Sequence, residues 1–196
     1  ISGSYFKGVP QGRVMAYVGP SGAGKSFMVG NTMVGVQQDP DAHIVVLDSE
    51  NALDDEFATA IGVDTNQNYT YVPVMTIPQV NKVVSSVIKS DTVSCSAKTH
   101  IDNIALDNGA ITSNSQVYRN QDIKNGEGVW IVSDAVRYSL SQVVLLTKLK
   151  LKDDSIAIGI KMRCEGFKTR FTKPFQKVEI LVPYDTGMNP YSGLVE

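Results

Sequence analysis

Residues 19–26 read Gly-Pro-Ser-Gly-Ala-Gly-Lys-Ser. They fit the spacing G-x-x-x-x-G-K-[ST], and no other stretch constrains its surroundings as much. The glycines let successive backbone N–H groups turn inward around phosphate oxygens. Lys25 can reach the β- and γ-phosphates of a nucleoside triphosphate, and the Ser26 hydroxyl can sit on Mg²⁺. Such a loop is expected between a buried strand and a helix whose positive N-terminus faces the anion. Both flanks are legible. Residues 13–18, Arg-Val-Met-Ala-Tyr-Val, read as a strand, and residues 27–34 read as a helix. The alternative is an ordinary glycine-rich turn, which leaves that strand–loop–helix setting unexplained.

The rest of the first half alternates in the same way. Residues 39–41, Asp-Pro-Asp, make a turn, and residues 43–48 form an apolar run ending in acid, the mark of a central parallel strand. A short helix over 54–61 is closed by Gly62, and a third strand covers 69–74. Residues 77–89 form an amphipathic helix with Val80, Val83, Val84, Val87 and Ile88 on one face. Strand and helix in alternation predict an α/β fold with a mostly parallel central sheet flanked by helices. Residues 91–128 are polar and weakly periodic. Beyond them, 143–151, 156–163 and 178–182 read as three strands joined by short turns, an antiparallel C-terminal extension.

A chain of 196 residues with 42% hydrophobic and 19% charged residues can bury one substantial core. Its net charge of −2 excludes a polyelectrolyte binder, but residues 148–177 hold nine Lys/Arg against three Asp/Glu. That basic half either faces a nucleic acid or phosphate, or keeps a sheet edge soluble. Cys95 and Cys164 have no metal-ligand spacing, which fits a reduced, intracellular protein. No apolar run approaches ~20 residues, so no membrane span is expected. There is no signal-peptide pattern, and the start at Ile1 reads as a piece of a longer chain.

A nucleotide hydrolase also needs a carboxylate near Mg²⁺ and a group that activates water. Residues 48–54, Asp-Ser-Glu-Asn-Ala-Leu-Asp, place acids at the carboxyl end of the second strand, where ligands of open parallel sheets collect. Glu50 is therefore a candidate general base, or else a surface acid in a turn.

Residues 19–26, 48–54 and 57–64 together resemble the ATPase core of RecA-type recombinases. Residues 1–13 and 187–196 look closest to the phage branch, the UvsX recombinases. The resemblance covers most of 1–89 and 129–196. It implies one RecA-like P-loop NTPase core domain over 1–196, without the N-terminal polymerisation segment and the C-terminal tail. It places the nucleotide on Gly19, Pro20, Ser21, Gly22, Ala23, Gly24, Lys25, Ser26 and Phe27. Glu50 matches the glutamate that polarises the hydrolytic water. Asp54 and Phe57 match positions at the adenine, Phe57 being alternatively a core residue of its helix. Asp102 matches the Walker B aspartate that joins Ser26 in holding Mg²⁺, or else is a solvated loop acid. Gln116 resembles the γ-phosphate sensor. Lys168 and Arg170 resemble a cationic pair that reaches the neighbouring subunit's ATP, or else are exposed strand charges. Arg119 and Lys124 match a DNA-contacting loop, or else are polar loop residues.

Residues 90–128 depart from the family. The lead-in to Asp102, Ser-Cys-Ser-Ala-Lys-Thr-His-Ile, is not apolar, and Asp102 and Gln116 lie too close together. We read this as residues omitted from that span rather than elements lost, which leaves Asn114 or Ser115 as rivals for the sensor. The function implied is a DNA-dependent ATPase that uses ATP and Mg²⁺, binds single-stranded DNA as a homo-oligomeric helical filament, and promotes pairing and strand exchange with a homologous duplex. ATP would lie between protomers. The resemblance leaves room for recombination mediators and single-strand-binding proteins as partners, and implies the cytoplasm, that of a bacterial host for a phage protein. The alternatives are a RecA-like motor or regulatory ATPase without strand exchange, and a P-loop phosphotransferase.

Overall fold

The computed structural model describes residues 14–20, 22–49, 53–89, 117–119, 128–130, 138, 140–153, 156–189 and 191–193. The elements in chain order are β1 (Met15–Val18), α1 (Lys25–Val36), β2 (Ile44–Asp48), α2 (Asp55–Ile61), β3 (Tyr69–Pro73), α3 (Ile77–Lys89), β4 (Val117–Arg119), β5 (Gly128–Trp130), β6 (Gln142–Asp153), β7 (Ile156–Thr169) and β8 (Lys177–Pro183). The chain divides into two compact units: Ile1–Lys25 with Gln116–Trp130 and Ser139–Glu196, and Ser26–Ser115 with Ile131–Tyr138.

The first unit is built on a sheet of order β1-β6-β7-β8. β1 lies parallel to β6, with Met15 opposite Gln142 and Val18 opposite Leu145. β6, β7 and β8 run antiparallel, with Leu146 opposite Cys164, Lys148 opposite Met162, and Met162 opposite Ile180. Val18, Leu140 and Val143 pack together with Ala16 and Leu145. β6 changes character along its length: from Gln142 to Leu146 its residues are buried apart from the half-buried Leu145, and from Thr147 to Lys150 every residue is exposed. β7 alternates, burying Met162, Cys164 and Gly166. Burial pushes the free Cys164 thiol up to about 11. β4 and β5 pair antiparallel, Arg119 opposite Gly128, so the ends of a stretch read as a loop form a short ladder.

In the second unit β2 and β3 are parallel, from Ile44 opposite Tyr69 to Asp48 opposite Pro73. Alternation along β2 sends its side chains to opposite faces. Ile44 and Val46 join Met33 of α1 and Ala58 of α2, together with Leu53 and Val63. Leu47 joins Val74 and Val80, with Val45, Val83 and Val84 against them. Burial on both faces is what the continuous apolar run of β2 encodes. The Val80, Val83 and Val84 stripe of α3 is the expected apolar face.

The antiparallel C-terminal extension is present in β6, β7 and β8 as expected, but the sheet it joins is not mostly parallel. Among the described strands β1·β6 is parallel and β6·β7 and β7·β8 antiparallel, a mixed four-stranded sheet, while β2·β3 forms a separate parallel pair and β4·β5 a separate antiparallel pair. The antiparallel part follows from short connections, two residues between β6 and β7 and seven between β7 and β8, too few for a parallel crossover. β7 runs to Thr169 rather than ending at Arg163, because its in–out alternation continues through Cys164 and Gly166.

Candidate functional site

The loop leaving β1 is wedged onto β6 and β7. A Cβ on Gly19 would stand 2.5 Å from the Leu146 carbonyl oxygen, so no larger residue fits. Gly24 adopts φ 93°, and a Cβ there would collide with the Met162 sulfur. Between them Ala23 is fully buried and its N–H donates to the Pro20 carbonyl at 3.2 Å. A Cβ on Gly22 would lie 3.7 Å from Lys148 Nζ. The loop thus rests on Leu146, Lys148 and Met162, two residues apart on β6 and cross-strand neighbours on β7. Neither Lys148 nor Met162 was identified by motif spacing; Lys148 entered only through the charge count, and nothing in the sequence singles out Met162.

Lys25 and Ser26 open α1. Lys25 is only 8% exposed, and its ammonium donates to the Gly19 and Pro20 carbonyls, each at 3.3 Å. A buried ammonium needs such acceptors. The first turn of α1 contains no acidic residue, so no side-chain carboxylate within that turn offsets its positive end. These features fit a phosphate ligand: tight glycines, a helix N-terminus and a sequestered cation. Ser26 and Phe27, both half-buried, follow in the same turn. Ser26 supplies a hard oxygen of the kind Mg²⁺ takes. Among the described residues no group of three His, Cys, Asp or Glu could hold a metal.

The acidic segment is organised by Asp48, at the end of β2 and 4% exposed. Its Oδ2 accepts the Leu53 N–H at 2.8 Å and the Tyr71 hydroxyl at 3.1 Å. Tyr71 sits opposite Val46, on the face of the sheet that Asp48 also shares. Burial first, then the Asp48 charge and hydrogen bond, push Tyr71 up to about 12. Tyr69 is raised by burial, then by Asp55 and Asp48. Among the described residues Ser49 Oγ and the Tyr69 hydroxyl are buried without a hydrogen-bond partner, both flanking this segment. Asp54 caps α2: its Oδ1 accepts the Phe57 N–H at 2.8 Å, and Gly62 closes the other end at φ 102°. Phe57 packs, half-buried, on the cluster containing Met33 and Val46. Both residues therefore have a local structural role.

Lys168 lies near the end of β7 opposite Val143, and Arg170 follows the strand, its N–H donating to the Ser141 carbonyl at 3.2 Å. They stand at the entrance to the β7–β8 turn, where Thr169 Oγ1 accepts the Phe171 and Thr172 N–H groups. Phe171 and Phe175 in that turn are 46% and 61% exposed. The basic half is partly neutralised from within. Lys161 and Arg163 both bind Glu179, holding its carboxyl below the usual range, and Lys177 faces Glu165 at 3.5 Å. Ser21, Glu50, Asp102, Asn114, Ser115, Gln116 and Lys124 lie outside the described residues. Arg119 is placed by its backbone in β4.

The chain is similar over 96% of its length to "Protein RecA" of Treponema denticola (26% identical), Streptomyces rimosus (22%) and Saccharopolyspora erythraea (23%). It spans 54%, 59% and 64% of those proteins respectively. The alignments run over 226 or 227 positions, more than the 196 residues of the chain, so they open gaps on its side. The RecA N-terminal domain matches residues 4–144, well over half of the sequence and inclusive of the loop, the acidic segment and α1 to α3. The chain belongs to the RecA N-terminal domain family.

Proposed function

We propose that this chain is the ATP-binding core of a DNA recombinase, a DNA-dependent ATPase that assembles on single-stranded DNA and promotes exchange with a homologous duplex. The observation that carries the reading is the loop over 19–26. Gly19 and Gly24 seat it on β6 and β7, and it delivers Lys25 into the first turn of α1, in a chain of the RecA N-terminal domain family. Lys25 exchanges its contacts with Gly19 and Pro20 for phosphate oxygens, and the residues from Gly19 to Phe27 line the nucleotide. Ser26 and Asp102 would hold Mg²⁺, which would supply positive charge against the phosphates. Glu50 orients the attacking water, and Gln116, or its neighbours Asn114 and Ser115, reads the γ-phosphate. Asp54 and Phe57 face the base.

Lys168 and Arg170 act on the nucleotide of the next protomer, a contribution of the arginine-finger kind worth roughly 10³–10⁵ in rate. The exposed Phe171 and Phe175 beside them suit a surface covered on assembly. Arg119 and Lys124 contact single-stranded DNA, chiefly its backbone, so log K falls by about 0.7 per neutralised phosphate with log salt. Similarity of residues 1–13 and 187–196 to the phage branch supports a phage recombinase working in the cytoplasm of a bacterial host. Among the described residues no helix is long and apolar enough to cross a membrane.

The test is ATP turnover with and without single-stranded DNA, on wild type and Lys25→Ala. DNA is expected to stimulate the wild type, and Lys25→Ala to lose turnover. DNA-independent turnover would overturn the reading in favour of a phosphotransferase. Stimulated turnover without pairing of homologous strands would support a motor or regulatory ATPase instead.

A further inference from the structure

Strand alternation sorts the charges of the four-stranded sheet onto its two faces. Between Val144 and Leu151 the register of β6 on β7 is unbroken, so Leu146, Lys148 and Lys150 share a face with Cys164, Met162 and Ile160. β8 continues those rows with Val178, Ile180 and Val182. The carboxylates fall on the other face: Glu165 lies there with Lys177, and Glu179 with Lys161 and Arg163. Lys148 therefore has Met162 opposite it and Ile160 and Cys164 on the diagonals, and among the described residues it makes no ion pair. Its ammonium stands at the loop instead, where a Cβ on Gly22 would lie 3.7 Å from Nζ. Lys25, buried on that same loop, donates to the Gly19 and Pro20 carbonyls. The loop itself contains no acid. Two ammoniums thus adjoin one short turn of backbone with no carboxylate in it, an arrangement that an anion relieves.

We propose that Lys148 is a second cationic determinant of phosphate binding, which with Lys25 sets the preference of the loop for the more highly charged nucleotide. The inference rests on the reading of the loop as a nucleoside triphosphate site. Lys148 lies outside the motif and acts through its charge, so its contribution grows with the charge of the bound phosphates and is screened by salt.

The experiment measures ATP and ADP affinity by calorimetry with Mg²⁺, in low and in high KCl, on wild type, Lys148→Met, Lys148→Arg and Lys25→Ala. Lys148→Met keeps the stem and removes the charge at an exposed position, so the fold should stand, and thermal unfolding without nucleotide checks that it does. It is expected to weaken ATP about 5-fold and ADP about twofold in low salt, the range of one partly screened charge. High KCl should narrow both gaps. Lys148→Arg should bind ATP within about twofold of wild type. The inference is overturned if Lys148→Met keeps wild-type ATP affinity, if ATP and ADP weaken equally, or if the gaps persist in high salt, since those last two are marks of altered packing rather than of lost charge. Unchanged ATP affinity with weakened binding of single-stranded DNA would overturn it in favour of a nucleic-acid contact. Lys25→Ala separates the two claims. If it binds ATP like wild type, the reading of the loop fails. If it loses ATP while Lys148→Met does not, only the role of Lys148 fails.

Discussion

A methyl group on Gly24 would meet the Met162 sulfur on a backbone held at φ 93°. Gly24→Ala is therefore expected to destabilise the protein by about 1–3 kcal/mol, through overpacking and left-handed strain together. Adding Met162→Ala removes the collision but not the strain. In urea titrations the double variant should lose less than the two single losses combined, and strict additivity would show that the residues do not touch. Tyr71 offers a test by pH. Its pKa rises from 10.0 unfolded to about 12 folded, with burial the largest cause and Asp48 second. The folded state holds the proton more tightly, so this contribution is complete below pH 10 and lost as pH climbs towards 12. Wild type should lose stability across that window, and Tyr71→Phe should lose less; equal losses would rule the coupling out. The strand before residues 19–26 and the helix after them were legible because the signals that mark them are local. Asp48 was legible only as an acid at a strand end, because its partner Tyr71 lies on a different strand and a strand-end acid announces no particular donor.

At the scale of elements, the helices were read well where local signals agree. α3 spans Ile77–Lys89 as its apolar period predicts, and α2 begins after the Asp54 cap and ends at Gly62. Asp54→Ala should cost about 1 kcal/mol, the usual worth of an N-cap, measured as a shift in the denaturation midpoint. A loss below a few tenths would show that the cap is dispensable in this short helix. Six of the eight described strands were equally legible, β4 and β5 lying where the sequence is polar and weakly periodic, but pairing was not. β1 finds its parallel partner in β6, far along the chain, and nothing in Met-Ala-Tyr-Val names that partner. The register shifts of β6 between Val143 and Val144 and between Leu151 and Lys152 leave no sequence mark either. Composition suggested a basic half, yet Glu179 and Glu165 lie across the sheet from Arg163 and Lys177, a pairing set by register alone.

For the whole molecule, the proposed sharing of active sites predicts complementation. Glu50→Gln protein and Lys168→Ala/Arg170→Ala protein, each inactive alone, should regain part of the ATP turnover when mixed at single-stranded DNA, because some interfaces then carry both intact halves. No gain at any ratio would mean that each site is complete within one protomer. β6 adds a different consequence. Through Leu146 the strand belongs to the core, whereas Lys150 and Lys152 stand on its exposed stretch. Exposed charges of this kind shift stability by less than about 0.5 kcal/mol when changed. The charge of this surface can therefore be redesigned at Lys150 and Lys152 with little effect on the fold beneath it.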